Sequence, residues 1–375
     1  MRRLSAEIDQ LRGKHAYRSL TLSSGRDFTS NDYLGLARHP ALRAAAAAAM
    51  QEFGVAGAGG SRLLRGHHEL HAQLEERAAK FFGSEKALYF GSGFLANLAL
   101  FSTLCGRHDA VIFDERAHAS IKEGIRASPA ARYRAAHNDL ESFEKELRRA
   151  RENSAQGLWI AVESLYSMDG DFAPLAELAA LARTHDAMLV IDEAHATGVF
   201  GARGRGLSEG LEDGHLIAVH TCGKALGVAG GLICAKAGII EYLINKARPF
   251  IYSTAPPPML AAALIRALEL VGEEPERRER VKSLSRHAKD RLTASAGKAV
   301  LPSGSQIIPV VLHEDERAVS AAAALQAAGF DVRAIRSPTV PRGTARLRIS
   351  INAGHREDEI AALADALGRV LAKTP

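Results

Sequence analysis

Five short apolar runs, ALYF (87–90), AVIF (110–113), LWIAV (158–162), AMLVI (187–191) and HLIAVH (215–220), recur through the middle of the chain, separated by segments of helical character. A strand that is apolar at nearly every position has to be covered on both faces. A parallel sheet with crossover helices does this. The chain therefore reads as an α/β protein built on a large, mostly parallel sheet. Segments 138–151 and 174–185 supply helical spacers, the second opening with Pro174 at a favoured first-turn position.

The flanks are organised differently. Residues 4–16 have the pattern of an amphipathic helix, and DFTSNDYLGL (27–36) reads as a strand running into a turn around Asn31 and Gly35. A helix is expected from Pro40 through the alanine block 44–49, because alanine is the best helix former. A glycine-rich loop then feeds a helix from His68 to Phe82. Beyond residue 270 the texture changes to a long charged helix, strand-like IIPVVL (307–312), a helix over 316–328, FDVRAI (330–335), LRISI (347–351) and a last helix from 356. With 375 residues to accommodate, the expected division is an arm (1–35), a large sheet domain (36–270) and a small α+β domain (271–375).

Composition narrows the function classes. Net charge is +5, with no long basic block, which argues against a nucleic-acid binder. No run approaches the ~20 apolar residues of a membrane span, and MRRLSAEIDQLR lacks the apolar core of a signal peptide. Cys105, Cys222 and Cys234 are widely spaced, so neither a disulfide framework nor a zinc site is expected. His67 and His71 are four apart, but position 68 is His, so the glutamate of an HExxH metal site is missing. The expectation is a cytoplasmic enzyme without a metal.

In open α/β sheets ligands bind beyond the carboxyl ends of the strands. The runs here end in Gly91-Ser92-Gly93-Phe94, 114–118, 163–167, 192–195 and 221–224. Those ends carry a lysine on a glycine loop (Lys224), an aspartate three residues before a histidine (Asp192, His195), a second histidine (His118) and a glycine turn opening a helix (Gly93, Phe94). Pyridoxal 5'-phosphate (PLP) suits each part. Lys224 would form the Schiff base, Asp192 would pair with the pyridinium nitrogen, His195 would reach the phenolic oxygen and His118 would stack on the ring. The helix N-terminus at Gly93-Phe94 would receive the phosphate, with Ser167 and Thr221 adding hydroxyls. Two rivals stand beside this. Gly91-x-Gly93-x-x-Ala96 is a loose dinucleotide fingerprint that would suggest an NAD-dependent dehydrogenase, and Asp192-Glu193-Ala194-His195 spells a helicase box. The second fails because no GxxxxGK[ST] loop precedes it.

The motifs SNDYLGL (30–36), GAGGSR (57–62), GSGFLAN (91–97), DERAHAS (114–120), SLYSMDGD (164–171), DEAHATGVFG (192–201), TCGKALG (221–227), RPFIYST (248–254) and RLRISINAGH (346–355) resemble the α-oxoamine synthases, a family of fold-type I PLP enzymes. The resemblance implies a large PLP-binding sheet domain, a small C-terminal domain, a homodimer with its site at the subunit interface, and condensation of an amino acid with an acyl thioester. AHND (136–139), YSTAPPP (252–258) and AIRSPTVPRGTARLRIS (334–350) look most like the branch that joins L-alanine to a pimeloyl thioester, carried on CoA or acyl carrier protein, in biotin synthesis. Members that make 5-aminolevulinate, 2-amino-3-ketobutyrate or ketosphinganine share most of the core motifs. Arg65 departs from the pattern, standing where a small residue is expected. Residue by residue, the resemblance implies Lys224 as Schiff-base lysine and Arg348 as the ligand of the amino-acid carboxylate, with Arg346 more structural. It implies substrate contacts for Arg12, Asn31, His118 and Ser350, a positioning role for Glu163, and Ser253-Thr254 reaching the partner's cofactor phosphate.

Overall fold

The computed structural model describes residues 2–13, 17–211 and 214–373. Two compact units emerge, one of Leu34–Ser167 with Phe172–Glu279, the other of Met1–Tyr33, Met168–Asp171 and Arg280–Pro375. Helix α1 (Arg2–Gly13) and the two-residue strand β1 (Arg26–Asp27) precede the larger unit. That unit runs through α2 (Pro40–Phe53), α3 (Glu69–Phe82), β2 (Lys86–Phe90), α4 (Gly93–Leu104), β3 (Asp109–Asp114), α5 (Ala119–Ala127), β4 (Ala131–Ala135) and α6 (Leu140–Glu152). It continues with β5 (Gly157–Glu163), α7 (Leu175–Thr184), β6 (Ala187–Asp192), β7 (Leu216–Thr221), β8 (Gly231–Ala235), α8 (Ala237–Lys246), α9 (Arg248–Ile251) and α10 (Pro258–Glu273). Then come α11 (Pro275–Ala296), β9 (Ile307–His313), α12 (Asp315–Ala327), β10 (Phe330–Asp331), β11 (Arg333–Ile335), β12 (Ala345–Ser350) and α13 (Glu357–Lys373).

All five apolar runs form strands of one seven-stranded sheet, ordered β2-β8-β7-β6-β5-β3-β4. β3 to β7 pair in parallel, whereas β8 runs antiparallel to both neighbours. β4 was not visible as an apolar run because it is the edge strand, and its Arg132 and Arg134 are exposed. The central strands are buried on both faces. Val111, Ala161, Val190, Ile217 and Val219 pack with Leu100 and Phe101 of α4, Ile121 of α5 and Ile240 of α8. Ile112, Ile160, Val162, Leu189 and Ile191 point the other way, against Phe143 and Leu147 of α6 and Leu178 of α7. Each such Val, Leu, Ile or Phe side chain contributes about 1.5–3 kcal/mol by leaving water, which fixes the register of the strands and the position of their ends.

The smaller unit holds an antiparallel sheet, β11-β12-β9, whose Val310, Leu347 and Ile349 pack with Leu325 of α12 and Leu363 and Leu367 of α13. Three expectations change here. The segment 27–36 is not a strand beyond Asp27, because the Asp27 carboxylate accepts the backbone N–H groups of Thr29 and Ser30 at 2.8 and 2.9 Å and turns the chain at once. The arm does not stand alone, since β1 pairs in parallel with β10 and residues 1–33 cluster with the C-terminal unit; the boundary falls at 279/280, inside α11, not at 270/271. FDVRAI divides into two short strands, β10 and β11. Part of the expected helix 4–16 is α1, and residues 14–16 lie outside the described residues. Among the described residues no group of three or more His, Cys, Asp or Glu is arranged to hold a metal ion, and no helix is long and apolar enough to cross a membrane.

Helices α4 and α5 touch at Gly124. A Cβ there would lie 2.7 Å from the Asn97 carbonyl oxygen and 3.1 Å from Phe101 Cβ. Gly124→Ala therefore forces the helices apart and is expected to cost about 1–3 kcal/mol, measured by denaturant unfolding; an unchanged midpoint would show that the contact is slack.

Candidate active site

The site is assembled where β3, β5, β6 and β7 end. After Thr221 the chain folds into a tight loop, with Cys222 N–H donating to Gly230 O (2.9 Å), Val228 N–H to Cys222 O (3.0 Å) and Gly227 N–H to Lys224 O (2.9 Å). Gly227 has φ +68°, and a Cβ there would come within 2.4 Å of Ala37 N, so this turn requires glycine. The loop presents the half-buried Lys224, whose Nζ lies 2.7 Å from His195 Nε2. The glycine-flanked lysine and the histidine 29 positions upstream are thus direct partners.

Asp192 is 5 % exposed at the end of β6. A charge so placed has to be compensated by donors. It accepts Ala194 N–H at 2.9 Å and Asn97 Nδ2 at 2.7 Å. The same amide nitrogen donates to Ser120 Oγ at 2.9 Å, and that hydroxyl lies 2.8 Å from His118 Nδ1. α4 and α5 therefore tie Asp192 and His118 into one network. His118 also caps α5, its Nδ1 accepting Ser120 N–H at 3.2 Å. Its pKa is held below the usual imidazole value, first by partial enclosure and then by the Lys224 charge, with Asp192 opposing. A neutral, solvent-facing imidazole is suited to lying against an aromatic ring.

The N-terminus of α4 sits beside β7. Ser92 caps the helix by accepting Leu95 N–H at 3.1 Å, and a Cβ on Gly93 would lie 3.1 Å from Thr221 Oγ1. The missing side chain leaves a cradle bounded by a hydroxyl and by the first N–H groups of the helix, which have no intrahelical acceptor and favour an anion. Ser167 is buried after β5, its N–H donating to Glu163 Oε2 at 3.2 Å. Lysine, buried carboxylate, neutral histidine and anion cradle thus belong to one unit, and they fit PLP part by part.

Phe94 is the second residue of α4, beside the cradle, and the other sequence candidates lie elsewhere. Phe94 is 45 % exposed. Thr254 is exposed and bridges to Ser61 through its backbone. In the smaller unit, Arg348 is buried and donates to Asn31 Oδ1 (3.0 Å), Ser350 Oγ (2.7 Å) and the Tyr33 hydroxyl (3.4 Å). Arg346 is tied to Asp169 (2.8 Å) and the Met168 carbonyl. Arg12 is exposed on α1, paired with Asp9 at 2.9 Å and lying over the Tyr17 ring. Sequence reasoning missed Asn97 and Ser120. A signal for Asn97 existed, a lone amide within the apolar helix FLANLALF, where a buried polar group has to find a partner.

These features are those of a fold-type I PLP transferase, and the chain belongs to the aminotransferase class I and II family, whose model matches residues 25–367. Among its relatives, 8-amino-7-oxononanoate synthase of Chromobacterium violaceum is 46 % identical over 91 % of this chain and 88 % of that protein. The Aromatoleum aromaticum enzyme of the same name is 42 % identical over 98 % and 97 %. Of solved structures, serine palmitoyltransferase from S. paucimobilis, with PLP bound, superposes with a TM-score of 0.91 at 31 % identity, covering 99 % of this chain and 97 % of that one. 8-Amino-7-oxononanoate synthase from Francisella tularensis does so at 0.80 and 30 %, covering 93 % and 98 %.

Asn97 bears directly on the charge of Asp192. A hydrogen bond to a charged group is worth about 1.5–3 kcal/mol, so Asn97→Ala is expected to weaken PLP binding roughly 10- to 100-fold in a fluorescence titration of the apoprotein. Affinity equal to that of the parent would remove Asn97 from this role.

Proposed function

We propose that the protein is a PLP-dependent acyltransferase that condenses L-alanine with a pimeloyl thioester, with loss of carbon dioxide, to give 8-amino-7-oxononanoate for biotin synthesis. One observation carries the chemistry: Lys224, His195, Asp192, Asn97 and His118 are gathered at the carboxyl edge of one sheet. The choice of substrates is supported by the relatives, since proteins named 8-amino-7-oxononanoate synthase match at 42–46 % identity over nearly the whole chain.

PLP held at Lys224 supplies an electron sink that stabilises negative charge at the amino-acid α-carbon. The chain's own groups do the rest. Asp192, held by Asn97, would pair with the ring nitrogen and keep it protonated. With the cofactor bound, Lys224 would carry the α-proton away and return one, with His195 as its hydrogen-bond partner. His118, neutral, covers one face of the ring. Arg348 is assigned the substrate carboxylate. Its guanidinium is already oriented by Asn31, Ser350 and Tyr33, so little rotamer freedom is lost on binding a planar anion. We keep Arg12 as a substrate contact.

A homodimer belongs to the same reading. Leu63, Leu64, Phe94 and Tyr252 are large apolar residues left exposed, and Thr254 lies in the same segment as Tyr252, on a backbone bridge to Ser61. A second copy covering them would receive Thr254 at its cofactor phosphate. The three free, buried cysteines suit a cytoplasmic setting.

The purified protein is expected to be yellow, and borohydride to fix the cofactor on Lys224, located by peptide mass. Lys224→Ala should lower turnover by at least ~10³-fold, the scale of losing the proton-transfer base, while still binding PLP. A panel of alanine, glycine and serine against pimeloyl, succinyl, acetyl and palmitoyl thioesters, on CoA and on carrier protein, with product mass as readout, should give 8-amino-7-oxononanoate from alanine. Aminolevulinate, aminoketobutyrate or ketosphinganine as the main product would replace this assignment with another synthase. A colourless protein that binds NAD would replace the class.

A further inference from the structure

Glu163 ends β5 in register with Asp192 at the end of β6, so the two carboxyl groups leave adjacent parallel strands on the same side of the sheet. Their surroundings differ. Asp192 accepts an amide N–H from Asn97 and a backbone N–H from Ala194. Glu163 is 2 % exposed, its Oε2 accepts Ser167 N–H at 3.2 Å, and its Oε1 is buried without a hydrogen-bond partner. Two carboxyl groups one strand spacing apart in a dry environment cannot both ionise cheaply, so the one with donors takes the charge and the other retains a proton.

We propose that Glu163 is a positioning residue that works as a neutral acid, holding the backbone of Ser167 while leaving Asp192 the single anion available to the cofactor's ring nitrogen. This rests on the PLP reading above. Four charged groups act on it from the surrounding elements: Asp192 on β6, Asp114 at the end of β3, Lys224 on the loop after β7 and Lys122 on α5. Burial pushes the Glu163 carboxyl up to about 8, Asp192 and Asp114 act in the same direction, and Lys224 and the Ser167 N–H oppose them. The group therefore carries its proton at neutral pH and loses it as pH rises through that value, placing a second negative charge beside Asp192.

The test compares the holoenzyme with Glu163→Gln and Glu163→Ala. Gln keeps a carbonyl for Ser167 N–H and cannot ionise; Ala keeps neither property. Infrared difference spectra should show a buried carboxylic-acid carbonyl band at neutral pH that is absent from both variants and bleaches with a midpoint near 8. The visible absorbance of the bound cofactor should inflect at the same pH in the parent and lose that inflection in Glu163→Gln. Glu163→Ala should lose it too, with PLP affinity lowered further than in Glu163→Gln. Absence of the band at neutral pH, or an inflection in Glu163→Gln identical to the parent's, overturns the proposal. Colourless protein throughout, with the infrared band intact, would instead overturn the PLP reading and leave the proton on Glu163.

Discussion

The structure depends on holding one buried anion. Asp192 ends a central strand covered on both faces, where an uncompensated carboxylate would be strongly disfavoured. Its compensation comes from Asn97 on α4, which reaches it because α4 packs tightly between β7 and α5. That packing has its own conditions. Gly124 admits the α4 backbone, and Gly231 admits the first residue of α4, since a Cβ there would lie 2.7 Å from Gly93 Cα. The anion therefore rests on small residues distant in sequence from Asp192.

The same packing produces the anion cradle at the start of α4. Driving the α4 N-terminus against the end of β7 brings Thr221 beside Gly93, next to the loop that carries Lys224. Electrostatics then sorts the groups by role. Asp192 receives donors from Asn97 and Ala194, the His118 imidazole is held below its usual value beside Lys224, and burial beside a like charge raises the Glu163 carboxyl. Three titratable side chains on neighbouring strand ends acquire three different characters from burial and hydrogen bonding.

Much of this was legible in the chain. The five apolar runs became five strands because continuous apolarity and double-sided burial are the same condition. Lys224, His195, Asp192 and His118 could be singled out because each closes or follows such a run. Other features were not legible. β4 carries Arg132 and Arg134 on a sheet edge and so lacks the signal. β8 is apolar, but nothing in its composition gives its direction. The expected strand from Asp27 failed because a single carboxylate capping two backbone N–H groups outweighed the residues that follow it. The arm's membership of the smaller unit rests on its pairing with β10, on Phe28 packed in that unit's core and on the Arg348 bonds to Asn31 and Tyr33, contacts between segments too far apart in the chain to read from sequence.

The sequence by itself determined the alternation of strands and helices, the residues at the strand ends and the chemistry they share, because periodicity and residue type are local properties. Only the tertiary structure decided which of those residues touch. It paired Lys224 with His195, recruited Asn97 and Ser120 to support Asp192 and His118, and set Glu163 beside Asp192 with an oxygen left unpartnered. Those outcomes follow from strand register and helix packing, which arise between segments far apart in the chain.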